Sequence, residues 1–217
     1  MAHSLTNKDL LQFLKSLQFS SGLFDRLKVY YRPIICPFVD LIELAKKGEK
    51  IGDIGCGSGQ FCLLLDHFAK PSYIYGIEIT ERLVDNAHQL FSKYSKTPYK
   101  FEQYNGVEFP TAVSEMDILF LNDVLHHVPP ANQEQFVKDL IHKMKPGARL
   151  VVKDIDGASP LVYFNKLHDT IFAGERGNER SVSEVTTWLE QSGAQIIQST
   201  KKRMYVYPHY TIVASKQ

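Results

Sequence analysis

Asp53, Gly55, Gly57 and Gly59 alternate through Lys50-Ile51-Gly52-Asp53-Ile54-Gly55-Cys56-Gly57-Ser58-Gly59-Gln60-Phe61, and this spacing is suited to holding a nucleoside. A glycine has no Cβ, so it can take a positive φ and bring backbone N–H groups within contact distance of a ligand. Asp53 narrows the choice of ligand. A dinucleotide would bring an anionic pyrophosphate to this turn, where a carboxylate two residues before the first glycine opposes it. The G-x-G-x-x-G fingerprint also needs a glycine where this chain has Gln60. A nucleoside carrying positive charge fits better. Glu78 lies 19 residues after Gly59, at the end of the next apolar run, where a carboxylate can accept from both hydroxyls of a ribose.

Strands and helices must bring these residues to one edge. Phe61, Leu63, Leu64, Leu65 and Phe68 predict a helix ending near Ala69, ahead of Pro71. Tyr73-Ile74-Tyr75-Gly76-Ile77 reads as the second strand, and Thr80 can cap a helix with Leu83, Val84, Ala87, Leu90 and Phe91 on one face. A third strand is expected around Tyr99 to Tyr104 and a fourth over Asp117-Ile118-Leu119-Phe120-Leu121. A helix introduced by Pro129-Pro130 then breaks at Lys145-Pro146-Gly147. Ala148 to Lys153 is nearly all apolar, as in a parallel strand covered on both faces. The alternation over residues 49 to 154 predicts an α/β fold, a doubly wound, Rossmann-like, mostly parallel sheet that binds ligands at the carboxyl ends of its strands. Ser181-Val182-Ser183-Glu184 is a capping box whose helix closes at Gly193, and strands near 194 to 203 and 206 to 215 should pair as a hairpin. Leu10, Leu14 and Leu17 at helical spacing, with a second helix near Pro37 to Lys46, make residues 1–48 a helical cap on a core of residues 49–217, all within one domain.

Asp53-Ile54-Gly55-Cys56-Gly57-Ser58-Gly59 resembles the first motif of the class I S-adenosylmethionine (SAM)-dependent methyltransferases: an acid, an apolar residue, then G-x-G-x-G. Gly52 departs from the bulky apolar residue usual there and is expected to weaken the strand. The resemblance covers about residues 48 to 215. It implies a seven-stranded sheet with an antiparallel last strand, SAM as cofactor and S-adenosylhomocysteine as product. In residue terms it implies that Asp53, Gly55, Cys56, Gly57 and Gly59 form the cofactor turn, that Glu78 takes the ribose, and that Ile79 packs on the adenine. It further implies that Asn105, followed by Gly106, faces the adenine amino group through its amide oxygen, and that backbone at Leu121 and Asn122 receives the methionine ammonium. Asn105-Gly106 is also an ordinary turn pair.

Within Leu121-Asn122-Asp123-Val124-Leu125-His126-His127-Val128-Pro129, either His126 or His127 suits a general base, because imidazole titrates near neutrality; both also suit packing at a helix start. Asp154 and Asp156 follow strand five, alternation turns both to one side, and they are alternative base or acceptor-binding groups. A divalent cation shared with Asn122 or Asp123 would need ligand spacing the chain does not closely reproduce, so no metal is expected. Tyr30 and Tyr31 in Val29-Tyr30-Tyr31-Arg32-Pro33 are acceptor contacts or packing residues, and Arg32 is the basic candidate for the cofactor carboxylate. Asn165, His168, Asp169, Glu175 and Arg176 lie where the family's acceptor lid falls, with His168 as a substrate contact.

Composition limits the partners. With 217 residues, 44% hydrophobic and 23% charged, the chain supports one buried core. The 25 basic and 24 acidic residues, without a basic block longer than Lys201-Lys202-Arg203, give no footprint for nucleic acid. Cys36, Cys56 and Cys62 lack disulfide or zinc spacing and fit a reduced, cytoplasmic compartment. No apolar run approaches the roughly 18 residues of a membrane span, and the N-terminus has no apolar signal region. Thirteen Phe and eleven Tyr allow an apolar pocket. The expectation is a SAM-dependent methyltransferase acting on a small, apolar or aromatic molecule, as a monomer or homodimer. A non-catalytic SAM-binding or partner subunit of the same fold is the first alternative, and an NAD-dependent oxidoreductase the second.

Overall fold

Five runs rich in β-branched and aromatic residues become the parallel strands β1 (Lys50–Ile54), β2 (Tyr73–Glu78), β3 (Tyr99–Gln103), β4 (Ile118–Asn122) and β5 (Arg149–Ile155). The computed structural model describes residues 4–17, 30–164, 166 and 177–217. Strands β6 (Ala194–Met204) and β7 (Tyr207–Lys216) complete a seven-stranded sheet in the order β3-β2-β1-β4-β5-β7-β6. Strand β7 runs antiparallel to both β5 and β6, so it is the one reversed strand. The register pairs Ile54 with Ile77 and Leu121, Asn122 with Lys153, and Asp154 with Tyr210. The carboxyl ends of β1, β2, β4 and β5 therefore share one edge.

Period-two alternation sorts each strand onto two faces. Ile51, Phe120, Val151 and Val213 join one apolar cluster, with Phe61, Leu64 and Phe91 from α3 (Gln60–Ala69) and α4 (Glu81–Tyr94). Ile54, Leu119, Leu150 and Ile212 join the other, with Leu140 from α5 (Gln133–Lys143) and Val185 and Leu189 from α6 (Val182–Gln191). Phe120 is fully buried, and a substitution such as Phe120→Ala costs about 3–5 kcal/mol. Near the N-terminus, α1 (Asn7–Ser16) buries Leu10 and Leu14, and its Phe13 ring stacks 3.9 Å from that of His67, near the end of α3. Residues 30–35 are helical, and the stretch leads through Cys36 into α2 (Phe38–Leu44). It reaches the sheet itself, where the Ile35 carbonyl lies 2.6 Å from His209 Nε2.

Several local expectations are corrected. Gly52 does not break β1, which pairs on both sides. A Cβ there would stand 2.3 Å from Leu119 Cδ2 and 3.0 Å from Met116 Cγ, so the glycine makes room for its neighbours. Thr80 occupies the N-cap of α4 but makes no side-chain capping bond; its backbone N–H donates to Glu78 Oε1 at 3.1 Å. Ser181 does form the reciprocal capping box with Glu184. Helix α5 begins at Gln133, after a turn closed by Asn132 N–H on the Pro129 carbonyl. Strand β5 continues past Lys153 to Ile155, where Asp154 and Ile155 pair with Tyr210 and His209 of β7, and both charged residues at its end are buried and paired.

Candidate active site at the carboxyl edge of the sheet

At the end of β1 the chain turns through Gly55, Gly57 and Gly59 at φ +76°, +53° and +78°. Backbone N–H groups of Gly55 and Cys56 donate to the Ile77 carbonyl at 2.8 and 3.0 Å, which fastens the turn to β2. A Cβ on Gly55 would stand 2.4 Å from Val124 Cγ2, whereas one on Gly57 would meet nothing within 4 Å. The turn is thus closed on its β4 side and open at Gly57. Buried Glu78 accepts from Gly57 N–H (3.0 Å) and Thr80 N–H (3.1 Å), so its carboxylate ties the end of β2 to the glycine turn. Asp53 is buried and accepts from the Cys62 thiol at 3.2 Å. Burial pushes its pKa up to about 7, against the pull of the Cys62 bond and the Arg32 charge. Burial also raises the Cys56 and Cys62 thiols, with Asp53 adding to both.

The next residues complete this half of the edge. Leu121 is buried, and the buried Asn122 Oδ1 has no hydrogen-bond partner among the described residues. Ile79 is 62% exposed, and a Cβ on Gly106 would stand 4.0 Å from Ile79 Cγ2, so the two line one apolar patch after β2 and β3. Asn105 behaves as a turn residue: its Oδ1 accepts from Val107 and Glu108 N–H, both at 2.9 Å. The oxygen expected to face an adenine amino group already takes two backbone donors.

Around β4 and β5 the chemistry differs. Asp123 sits at φ +57°, and its carboxylate lies 2.5 Å from the fully buried Lys153 Nζ, 3.5 Å from Arg32 and 3.6 Å from the Cys36 thiol. Burial would raise Asp123, but the Lys153 and Arg32 charges outweigh it and hold the carboxyl below its ordinary range. The same pairing outweighs the burial that would lower Lys153. Burial, with the Lys153 charge, lowers His209 to about 4 and keeps it neutral near pH 7. Alternation sends Asp154 to the opposite face from Lys153. There its Oδ1 lies 2.6 Å from His126 Nδ1 and its Oδ2 accepts from His126 N–H at 3.2 Å. An acceptor-only carboxylate makes Nδ1 a protonated ring nitrogen. The His127 ring centroid is 4.0 Å from that of His126. Tyr210 carries a buried hydroxyl with no hydrogen-bond partner among the described residues.

Other expected residues are engaged elsewhere. Asp154 and Asp156 do not act as a pair, since Asp156 takes Lys201 at 2.6 Å and the Ala158 N–H at 3.2 Å. Arg32 lies between Asp123 and the Phe38 ring, 5.6 Å from its centroid. Tyr30 packs against the core, whereas Tyr31 is exposed. His168, Asn165, Asp169, Glu175 and Arg176 lie outside the described residues. Among the described residues no group of three His, Cys, Asp or Glu side chains could hold a metal ion, and no helix is long and apolar enough to cross a membrane. A groove of about 450 Å³ lined by Val107, Glu108, Phe109, Asp139, His142 and Lys143 contains none of these site residues. Sequence reading missed Lys153, His209 and Gln133 as members of the edge. Only Lys153 left a signal, as a cation inside an apolar strand.

Comparison with known proteins agrees with the fold. The family model of a methyltransferase domain matches residues 45–206. A 27-O-demethylrifamycin SV methyltransferase of Amycolatopsis mediterranei is 26% identical over 110 residues, covering 50% of this chain and 39% of that protein. A protein-L-isoaspartate O-methyltransferase of Nitrosospira multiformis is 29% identical over 119 residues, covering 55% and 46% respectively. The chain thus spans less than half the length of either relative. Among solved structures, magnesium protoporphyrin IX methyltransferase from Synechocystis with bound SAH superposes with a TM-score of 0.70 at 17% identity, covering 99% of this chain and 96% of the other.

Proposed function

The chain belongs to the methyltransferase-domain family, of the class I type whose cofactor is SAM, and on that premise we propose that it methylates a small, partly apolar or aromatic molecule bound over the ends of β4 and β5. The cofactor half suits a cationic ligand. Asp53 has no ion-pair partner among the described residues, and the buried Asn122 Oδ1 lacks a donor, so an ammonium would satisfy both. Glu78 would take the ribose hydroxyls, the turn at Gly57 leaves open space, and Ile79 offers an apolar surface to the adenine. When bound, SAM supplies an electrophilic methyl group on a sulfonium. The names of the rifamycin and protoporphyrin enzymes support a small-molecule acceptor.

The observation that carries the reaction is the buried His126–Asp154 pair. Asp154 fixes the ring with Nδ1–H toward itself, and Nε2 takes the acceptor's proton as the acceptor oxygen, nitrogen or carbon gains the methyl group. Asp154 then stabilises the imidazolium, and the proton later leaves to solvent. His126→Asn removes that base. The test combines calorimetric titration with SAM, S-adenosylhomocysteine and NAD with measurement of S-adenosylhomocysteine release over a panel of small acceptors. Micromolar binding of the first two, release with an aromatic or apolar acceptor, and loss of release in His126→Asn are expected. SAM binding without release from any acceptor would favour a non-catalytic binding subunit, and binding of NAD alone would refute the proposal.

A further inference from the structure

Gln133 is fully buried at the first position of α5, and a buried amide is tolerated where its hydrogen bonds are made. Its Nε2 donates to the Leu125 carbonyl at 2.8 Å and the Asn178 carbonyl at 2.9 Å, and its Oε1 accepts from Arg180 Nε. Leu125 opens the 3-10 turn Leu125–His127, and Asn178 N–H donates to the His126 carbonyl at 2.8 Å. One amide therefore holds the carbonyl just before His126 and also the residue that holds His126's own carbonyl. The anchor of this network does not depend on the histidine. Arg180 also reaches the Pro130 carbonyl at 3.2 Å and Glu184 at 3.3 Å, and it lies over the Trp188 ring, 5.6 Å from its centroid.

We propose that Gln133 is a positioning residue for His126, fixing the turn so that Nδ1–H stays on Asp154; the inference rests on the general-base reading above. The 2.6 Å ring contact is short enough that a small shift of the turn would lengthen it. A misplaced reacting group loses rate steeply. Ground-state binding of SAM, made at Asp53, Glu78 and the glycine turn, should not change.

Two variants test this. Gln133→Met keeps length and bulk but removes every polar contact. Gln133→Glu keeps an oxygen for Arg180 but has no N–H for Leu125 or Asn178. The first readout needs no acceptor: a slowly exchanging imidazole Nδ1–H proton resonance, identified by its loss in His126→Asn. It should broaden or vanish in both variants while SAM affinity and cooperative melting persist. In the full reaction kcat should fall on the order of 10- to 100-fold with the KM for SAM unchanged, and Gln133→Met should lower kcat no further in a His126→Asn background. If Gln133→Met loses SAM binding, Gln133→Glu carries the test. A wild-type Nδ1–H resonance and kcat in a variant that binds SAM would overturn the inference. A His126→Asn enzyme with wild-type kcat would remove the general-base reading, whatever Gln133 does to the resonance.

Discussion

The two halves of the carboxyl edge are built by opposite means. At the ends of β1 and β2, Glu78 meets the N–H groups of Gly57 and Thr80, and Asp53 meets Cys62 nine residues on. These contacts fall within one β-α-β unit, run mostly to backbone, and leave Asp53 without an ion-pair partner among the described residues. At the ends of β4 and β5, Asp123 meets Lys153, Arg32 and Cys36, and His126 meets Asp154, all side-chain pairs between residues distant in the chain. The first half leaves a charge for a ligand to neutralise, whereas the second neutralises itself and fixes the His126 ring. A half that waits for a cation should lose binding when altered, and a half that is already paired should lose stability.

The largest expected effect tests the second clause. Lys153→Met removes the fully buried partner of Asp123 and leaves a mostly buried carboxylate with the Cys36 thiol and the more distant charge of Arg32. Breaking a buried pair from one side costs about 3–5 kcal/mol. Urea unfolding should show a loss near the lower figure, because Asp123 keeps some exposure, and adding Asp123→Asn should recover most of it. A Lys153→Met protein as stable as wild type would show that this half is not held by its own charges.

Gly55→Ala tests the first clause. The residue sits at φ +76°, and the new methyl would meet Val124 Cγ2 at 2.4 Å, so the turn must shift. Such strain costs about 1–3 kcal/mol, and calorimetry should show roughly a 5- to 150-fold weaker Kd for SAM. Equal SAM affinity in the variant would mean that the turn does not hold the cofactor.

The same contrast explains what could be read in the sequence. Asp53, the three glycines and Glu78 sit within one β-α-β unit, where spacing along the chain fixes spacing in space, and the strand and helix pattern followed from apolar periodicity. The partnership of Lys153 with Asp123, or of Asp154 with His126, depends on which strands become neighbours and which face each residue takes. Asp156 shows the limit: alternation placed it with Asp154, but Lys201 from the last hairpin claims it. Thr80 shows another, because sequence preference favours a side-chain cap at that position and the side chain makes none.

Proton linkage at Asp53 sharpens the comparison, because its two signs differ. Its folded pKa of about 7 lies above the ordinary carboxylate value near 3.9. The stability this protonation gives the ligand-free protein is therefore fully present below about pH 4 and lost as pH rises through about 7. Cofactor binding should run the other way, since an ammonium favours the ionised carboxylate. Relative to an Asp53→Asn control, SAM affinity should rise about tenfold per pH unit from pH 5 toward 7, then flatten. Parallel pH profiles for the two proteins would show that Asp53 does not meet the positive charge.

Arg32 marks the border between the halves and gives the smallest effect. Its side chain is 43% exposed and 3.5 Å from Asp123, so the pair itself is worth less than about 1 kcal/mol, well below the Lys153 pair on the same acid. If the guanidinium also meets the cofactor carboxylate, Arg32→Gln should weaken SAM about three- to tenfold but leave decarboxylated SAM unchanged. Equal weakening of both ligands would place Arg32 wholly with Asp123. The cofactor carboxylate would then have to find its donors on the backbone of the glycine turn, as the rest of that half already does.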